Sequence, residues 1–258
     1  MPGPIPAWPP YFSVVASSKS DEITSSSRFF RLFADRLAQA HTSEDTLAFY
    51  RALLGGVTVS WRAELEALGE ESKHPTSPDQ EIYDLTMAGM IMVAGRNDFV
   101  ATAQLAAHPG FLFQPKTISQ EARHRYLVVV HANVPWLEGE EEVAKQVKKI
   151  ADKYYLPRDH IRWLRPPLGE ESIRIGLQQV TGQMTEADPG EVMILYYAHG
   201  ELSDRGWETM LHDGFLWWNT MMDAEHFKKM FVENLPPDKV SSVMLVVNSC
   251  YSGALIGE

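Results

Sequence analysis

The sequence predicts an α/β protein: a mainly parallel sheet flanked by helices, preceded by a small helical module. Two observations lead there. Short apolar runs recur in the second half, at Tyr126–His131, Ile161–Leu164, Val192–Tyr197 and Val240–Val247. The segments between them repeat their apolar residues every three or four positions, as helices do. Strands that alternate with helices call for crossover connections and a sheet covered on both faces.

Residues 1–27 combine five early prolines with Ser17-Ser18-Lys19-Ser20 and Ser25-Ser26-Ser27. Such a stretch offers little apolar surface to offset chain entropy, so a flexible arm is expected. Residues 28–110 form the helical module. Phe29, Phe30, Leu32, Phe33 and Leu37 make one apolar stripe after a serine cap, and Ser43 opens a second that runs through Leu47, Tyr50 and Leu54 to Gly55-Gly56. A further amphipathic stretch from Asp79 to Ala107 follows the breakers His74-Pro75 and Ser77-Pro78. His108-Pro109-Gly110 and Pro115 set a linker over 111–123, which leaves 124–258 as the α/β domain. Within it, helices are expected at Glu138–Tyr155, Glu170–Met184 and Asp223–Asn234, the last capped by Asp223.

The formal net charge of -11 and a single cysteine among 258 residues narrow the function classes. Duplex nucleic acid is a poor partner for so acidic a chain, since phosphate contacts need clustered Lys and Arg. A lone thiol cannot close an intrachain disulfide, so a reducing compartment is expected, cytoplasm or nucleus. The most apolar stretch, Leu85 to Ala94, is too short to cross a bilayer, and no membrane association is expected.

The chemistry concentrates at two strand ends. Cys250 follows Val240–Val247 in Asn248-Ser249-Cys250-Tyr251-Ser252-Gly253, and His199-Gly200-Glu201 follows Val192–Tyr197. In open parallel sheets, reactive groups collect beyond the carboxyl ends of the strands. A thiol needs a base to make its sulfur anion and an acid for the leaving group, and one imidazole serves both steps. Cys250 is therefore the candidate nucleophile and His199 its general base and acid. Backbone amides of Gly200 and Cys250 are the candidate oxyanion hole, because glycine lets a substrate carbonyl approach the main chain.

These two motifs resemble the caspase-like cysteine peptidases, a group that includes caspases, metacaspases, paracaspases and legumains. In that group a strand ending in His-Gly precedes a strand ending in a short motif around the nucleophilic cysteine. Tyr196-Tyr197-Ala198-His199-Gly200-Glu201 is similar to the first, with its His-Gly-Glu run nearest to caspases. Asn248-Ser249-Cys250-Tyr251-Ser252-Gly253 is similar to the second and nearest to metacaspases. The resemblance spans roughly residues 124–258. It implies a caspase-like fold, a cysteine endopeptidase acting on protein or peptide substrates, and a place in regulated proteolysis or cell-death-type signalling.

Two departures qualify what is implied. Metacaspases carry an aspartate two residues before the cysteine for a basic P1 side chain; here that residue is Asn248, a neutral amide assigned to substrate binding. The second departure is length. The sequence stops eight residues after Cys250, where the family continues into a small subunit with further strands. A small-subunit-like chain or a second protomer is thus expected to complete the sheet, and Leu245–Val247 is expected to lie at an unpaired edge. The alternative function is a non-catalytic caspase-like scaffold; transfer of the acyl group to an amine instead of water is equally open.

Other features read more plainly. His131, His212 and His226 show no metal spacing and are expected at the surface or satisfied in the core, with His131 as a minor candidate for the cleft. Glu140-Glu141-Glu142 fits a helix start, and Trp217-Trp218 a hydrophobic cover. No metal or cofactor is assigned, and Asp204, Asp213 and Asp223 form no EF-hand loop from which calcium could be inferred.

Overall fold

The computed structural model describes residues 8–9, 11–16, 28–39, 124–132, 140–212 and 219–256. The helices expected between 43 and 107, the 111–123 linker and Trp217-Trp218 lie outside them. The described residues form eight strands and four α-helices, in order: β1 (Phe12–Ala16), α1 (Arg28–Gln39), β2 (Arg125–His131), α2 (Glu140–Tyr154), β3 (Ile161–Leu164), α3 (Glu170–Thr181), β4 (Gly190–Tyr197), β5 (His199–Ser203), β6 (Gly206–His212), β7 (Asn219–Asp223), α4 (Ala224–Asn234) and β8 (Val240–Asn248).

Five strands form one sheet in the order β1-β8-β4-β2-β3, and every pairing in it is parallel. The central strands β2, β4 and β8 are buried on both faces, which is why they read as continuous apolar runs in the sequence. Leu127 and Val129 of β2 turn to one face with Met193 and Leu195 of β4, against α1 and α2. Val128 and Val130 turn to the other with Val192 and Ile194, against α3 and α4. Full burial of each such Val, Leu or Ile contributes about 1.5–3 kcal/mol.

Helix spacing explains the layers. Phe30, Phe33, Ala34 and Leu37 line one side of α1, and Val143, Val147, Ile150 and Tyr154 one side of α2; all are buried. Ile173, Leu177 and Val180 do the same on α3. Asp223 caps α4 as its sequence position predicts, its Oδ1 accepting from the His226 N–H at 2.8 Å. The chain leaves β2 toward β3 through α2 and leaves β4 toward β8 through α4, in opposite directions across the sheet. Their helices accordingly cover opposite faces, as one constant crossover hand requires. The carboxyl ends of adjacent β2 and β4 therefore flank a topological switch point, the usual place for a site in such a sheet.

Two expectations are corrected. Phe12–Ala16, inside the stretch read as an arm, is a strand paired with β8 in the register Val14↔Leu245 and Ala16↔Val247. The edge expected to be open at Leu245–Val247 is therefore covered by the chain's own β1. Val14 and Val15 are fully buried, one on each face, so the strand contributes to both cores. Trp8 and Tyr11 anchor its approach: the Trp8 indole N–H donates to the Leu255 carbonyl at 2.8 Å, and the Tyr11 hydroxyl to the Leu235 carbonyl at 3.0 Å. The second correction concerns α1, expected in a separate helical module. It packs on the sheet beside α2, where Lys149 pairs with Asp35 and the Phe30 ring lies 6.1 Å from that of Tyr197.

Outside the main sheet, β5, β6 and β7 form a three-stranded antiparallel sheet. A two-residue turn, Asp204-Arg205, joins β5 to β6, with Gly206 at φ 97 and the Ser203 Oγ accepting from the Arg205 N–H at 3.0 Å. No described helix is long and apolar enough to cross a membrane.

Candidate active site

The parallel register of β4 and β8 runs to their ends, where Tyr197 pairs with Asn248. His199 and Cys250 each come two residues later. The Ala198 N–H donates to the Asn248 carbonyl at 3.3 Å, which holds the two exits side by side. One step on, the main chains touch. A Cβ placed on Gly200 would lie 2.2 Å from the Cys250 carbonyl oxygen and 3.1 Å from the Ser249 Oγ. Only a glycine permits that approach without a shift in the surrounding chain. The two motifs, some fifty residues apart in the sequence, thus share one rim of the sheet, and both His199 and Cys250 are partly exposed there.

Past the cysteine the chain turns sharply. Tyr251 has φ 58, the left-handed region that non-glycine residues enter at a cost of about 1–3 kcal/mol. A short 3-10 turn, Ser252–Ile256, follows, with Ser252 and Leu255 buried. The Ala254 N–H closes it onto the Tyr251 carbonyl at 3.0 Å.

Strand β6 reaches both reactive segments. The Trp207 indole N–H donates to the Cys250 carbonyl at 3.0 Å. Two residues along the same strand, the Thr209 hydroxyl donates to the His199 carbonyl at 3.1 Å. The Tyr196 hydroxyl lies 2.8 Å from that of Thr209. Because the single Thr209 proton goes to His199, the Tyr196 hydroxyl is the donor between them. Burial of Tyr196 raises its pKa well above the ordinary tyrosine value and keeps that proton in place.

Phe227 of α4 backs the arrangement, with its ring centroid 4.8 Å from Tyr196 and 5.2 Å from Trp207, both edge-on. Such pairs add about 0.5–1.5 kcal/mol each beyond their buried area. Trp207 and Thr209 carry no motif and escape a sequence reading, and Tyr196, though inside the first motif, shows no sign there of its hydroxyl's role. The one available sign is the hairpin signal Asp204-Arg205-Gly206 just after His199-Gly200-Glu201, which folds the next strand back over the histidine.

The remaining candidates fall as follows. Asn248, the expected substrate contact, is the last residue of β8 and only 2 % exposed. His131, at the end of β2, is 1 % exposed with its ring 5.2 Å from that of Tyr197, so it packs in the core instead of opening onto the rim. His226 is at the surface, its Nε2 2.9 Å from Glu170 Oε1. The side chain of His212 lies outside the described residues. Among the described residues no three His, Cys, Asp or Glu side chains gather into a group able to hold a metal ion.

No family model, no curated protein and no solved structure matches this chain.

Proposed function

We propose that this chain is a caspase-like cysteine endopeptidase. The observation that carries the reading is the contact of the two motif segments at one sheet rim: Gly200 lies against the Cys250 carbonyl, just beyond the Ala198–Asn248 hydrogen bond. In the reaction, His199 takes the Cys250 thiol proton and the sulfur attacks the scissile carbonyl. Backbone N–H groups of Gly200 and Cys250 receive the resulting oxyanion, each such donor being worth about 10²–10³ in rate. His199 then returns the proton to the leaving amine, and water cleaves the thioester to release the acid and free the thiol. Asn248 is the proposed contact for the P1 side chain, with only 2 % of its own surface exposed. β1 lies along the β8 edge, and a small-subunit-like chain or a second protomer remains the proposed partner.

Because Cys250 is the chain's one cysteine, any thiol adduct reports on it alone. The test uses peptidyl acyloxymethyl ketones carrying Arg, Asn or Asp at P1, with intact-mass readout. One adduct per chain, abolished in Cys250→Ala and slowed in His199→Ala, is the expected result. Free reaction with iodoacetamide but none with any of the three ketones would remove the peptidase reading in favour of the scaffold.

A further inference from the structure

We propose that β6 is a two-point clamp on the reactive pair, with Trp207 and Thr209 as positioning residues that fix how the thiol and imidazole meet. The inference rests on the peptidase reading for its chemistry, while its geometry stands on the strand itself. Trp207 and Thr209 are two apart in β6 and therefore project to the same side of that strand. One holds the carbonyl of Cys250 and the other the carbonyl of His199.

Each contact engages a main-chain atom of a reactive residue and not its side chain. Both clamp residues are buried, Trp207 at 1 % and Thr209 at 0 % exposure, so solvent competes little for the bonds. The Thr209 bond is itself the middle of a chain running from the Tyr196 hydroxyl through Thr209 to the His199 carbonyl. Hydrogen bonds in series polarise and stiffen one another. Phe227 locks the rings of Tyr196 and Trp207 from below, so both arms share one support in α4.

Without these two bonds, strand pairing and the Ala198–Asn248 bond hold the rim. His199 begins a strand of a separate sheet, and Cys250 lies in a turn after the last strand of the main one. A displacement of about 1 Å between reacting groups typically costs about 10² in rate. The clamp joins the two sheets at the point where that displacement would matter.

The test compares Trp207→Phe, Thr209→Val and Thr209→Ser with the parent protein and with Leu177→Ala, a core truncation on α3 away from the rim. Iodoacetamide is the probe, its rate with Cys250 followed from pH 5 to 10, beside kcat and KM on whichever peptide series labels the parent. Trp207→Phe and Thr209→Val are expected to lower kcat by about 10- to 100-fold with little change in KM. Both should also move the alkylation pH profile toward that of His199→Ala. Thr209→Ser restores the parent behaviour, and Leu177→Ala loses stability without moving the profile.

Folded Trp207→Phe and Thr209→Val proteins with the parent profile and kcat would overturn the clamp. If either fails to fold, Tyr196→Phe, which removes only the far hydroxyl, must still shift the profile in the same direction, and no shift there overturns the proposal too. Failure of the peptidase reading has a different signature: His199→Ala leaves the parent's alkylation profile unchanged.

Discussion

Substituting Gly200→Ala puts the main-chain contact at the rim to a direct test. The new Cβ would fall 2.2 Å from the Cys250 carbonyl oxygen, 1.2 Å inside the 3.4 Å at which contacts become ordinary. That oxygen cannot simply swing away. The Trp207 N–H holds it at 3.0 Å, and Nε1 is itself 3.0 Å from the new carbon. Gly200 has no left-handed backbone angle, so crowding is the sole penalty. Overpacking of this kind costs about 1–3 kcal/mol, and loss of the Trp207 bond adds about 1 kcal/mol. The sum is about 2–4 kcal/mol, a large part of the 5–15 kcal/mol that holds a typical domain together.

Gly190→Ala is the matched comparison. Its Cβ would meet Met184 Cε at 2.6 Å, a similar overlap, but with the far end of a flexible side chain. A thioether moves aside readily, so the cost there should stay within about 1 kcal/mol. Urea unfolding followed by circular dichroism separates the two: Gly200→Ala is expected to lower the midpoint by about 1 M or more, at a slope of about 1–3 kcal/mol per M. Iodoacetamide should also react with Cys250 of Gly200→Ala at an altered rate. Equal midpoints for the two variants would refute the close approach of the His199 and Cys250 segments.

Three further outcomes are expected. Val15→Asp places a charge in a fully buried position of β1 and should free that strand, exposing the β8 edge; light scattering at micromolar concentration would then show self-association, and a monomeric variant counts against β1 as the edge cover. Arg125→Met leaves Glu191 without its 2.8 Å partner and should cost about 2–4 kcal/mol, read as a lowered urea midpoint, since breaking a largely buried pair strands the other charge. Alkali should destabilise the fold. Burial raises the pKa of Tyr196, and burial together with nearby carboxylates raises those of Tyr126 and Tyr11. Above pH 10 the unfolded chain sheds these protons while the folded one keeps them, so stability is complete below that pH and falls as pH climbs toward the folded values. Tyr196→Phe should flatten that decline, and an unchanged alkaline slope would show that this phenol does not contribute to it.

Much of the main sheet was legible because its central strands are buried on both faces. Ile161–Leu164 matches to the residue, and β2, β4 and β8 differ from the expected runs by one or two residues at their ends. Strand β1 was hidden by its neighbours. Phe-Ser-Val-Val-Ala is only five residues long, set between prolines and serines, and its stability comes from β8 at the far end of the chain. Local composition carries no trace of such a partner. The antiparallel sheet was missed for a related reason: Glu208 and Thr209 are buried among polar contacts, so no clean alternation marks β6.

The Cys250 and His199 segments could be paired from their motifs and strand ends. The residues that bind them to one another could not, since Trp207 meets a carbonyl 43 positions away and what it recognises is main chain, which has no signature in sequence.

The pairing of β1 with β8 also sets an order of events during synthesis. Phe12 leaves the ribosome well before Val243, its neighbour in the sheet. At about 5–20 residues per second, an apolar strand must wait roughly 10–50 s for the edge it will cover. Closing so long a loop adds only slowly to the entropic cost, so the delay is one of timing: β1 stays open to chaperones until the β8 edge emerges to pair with it.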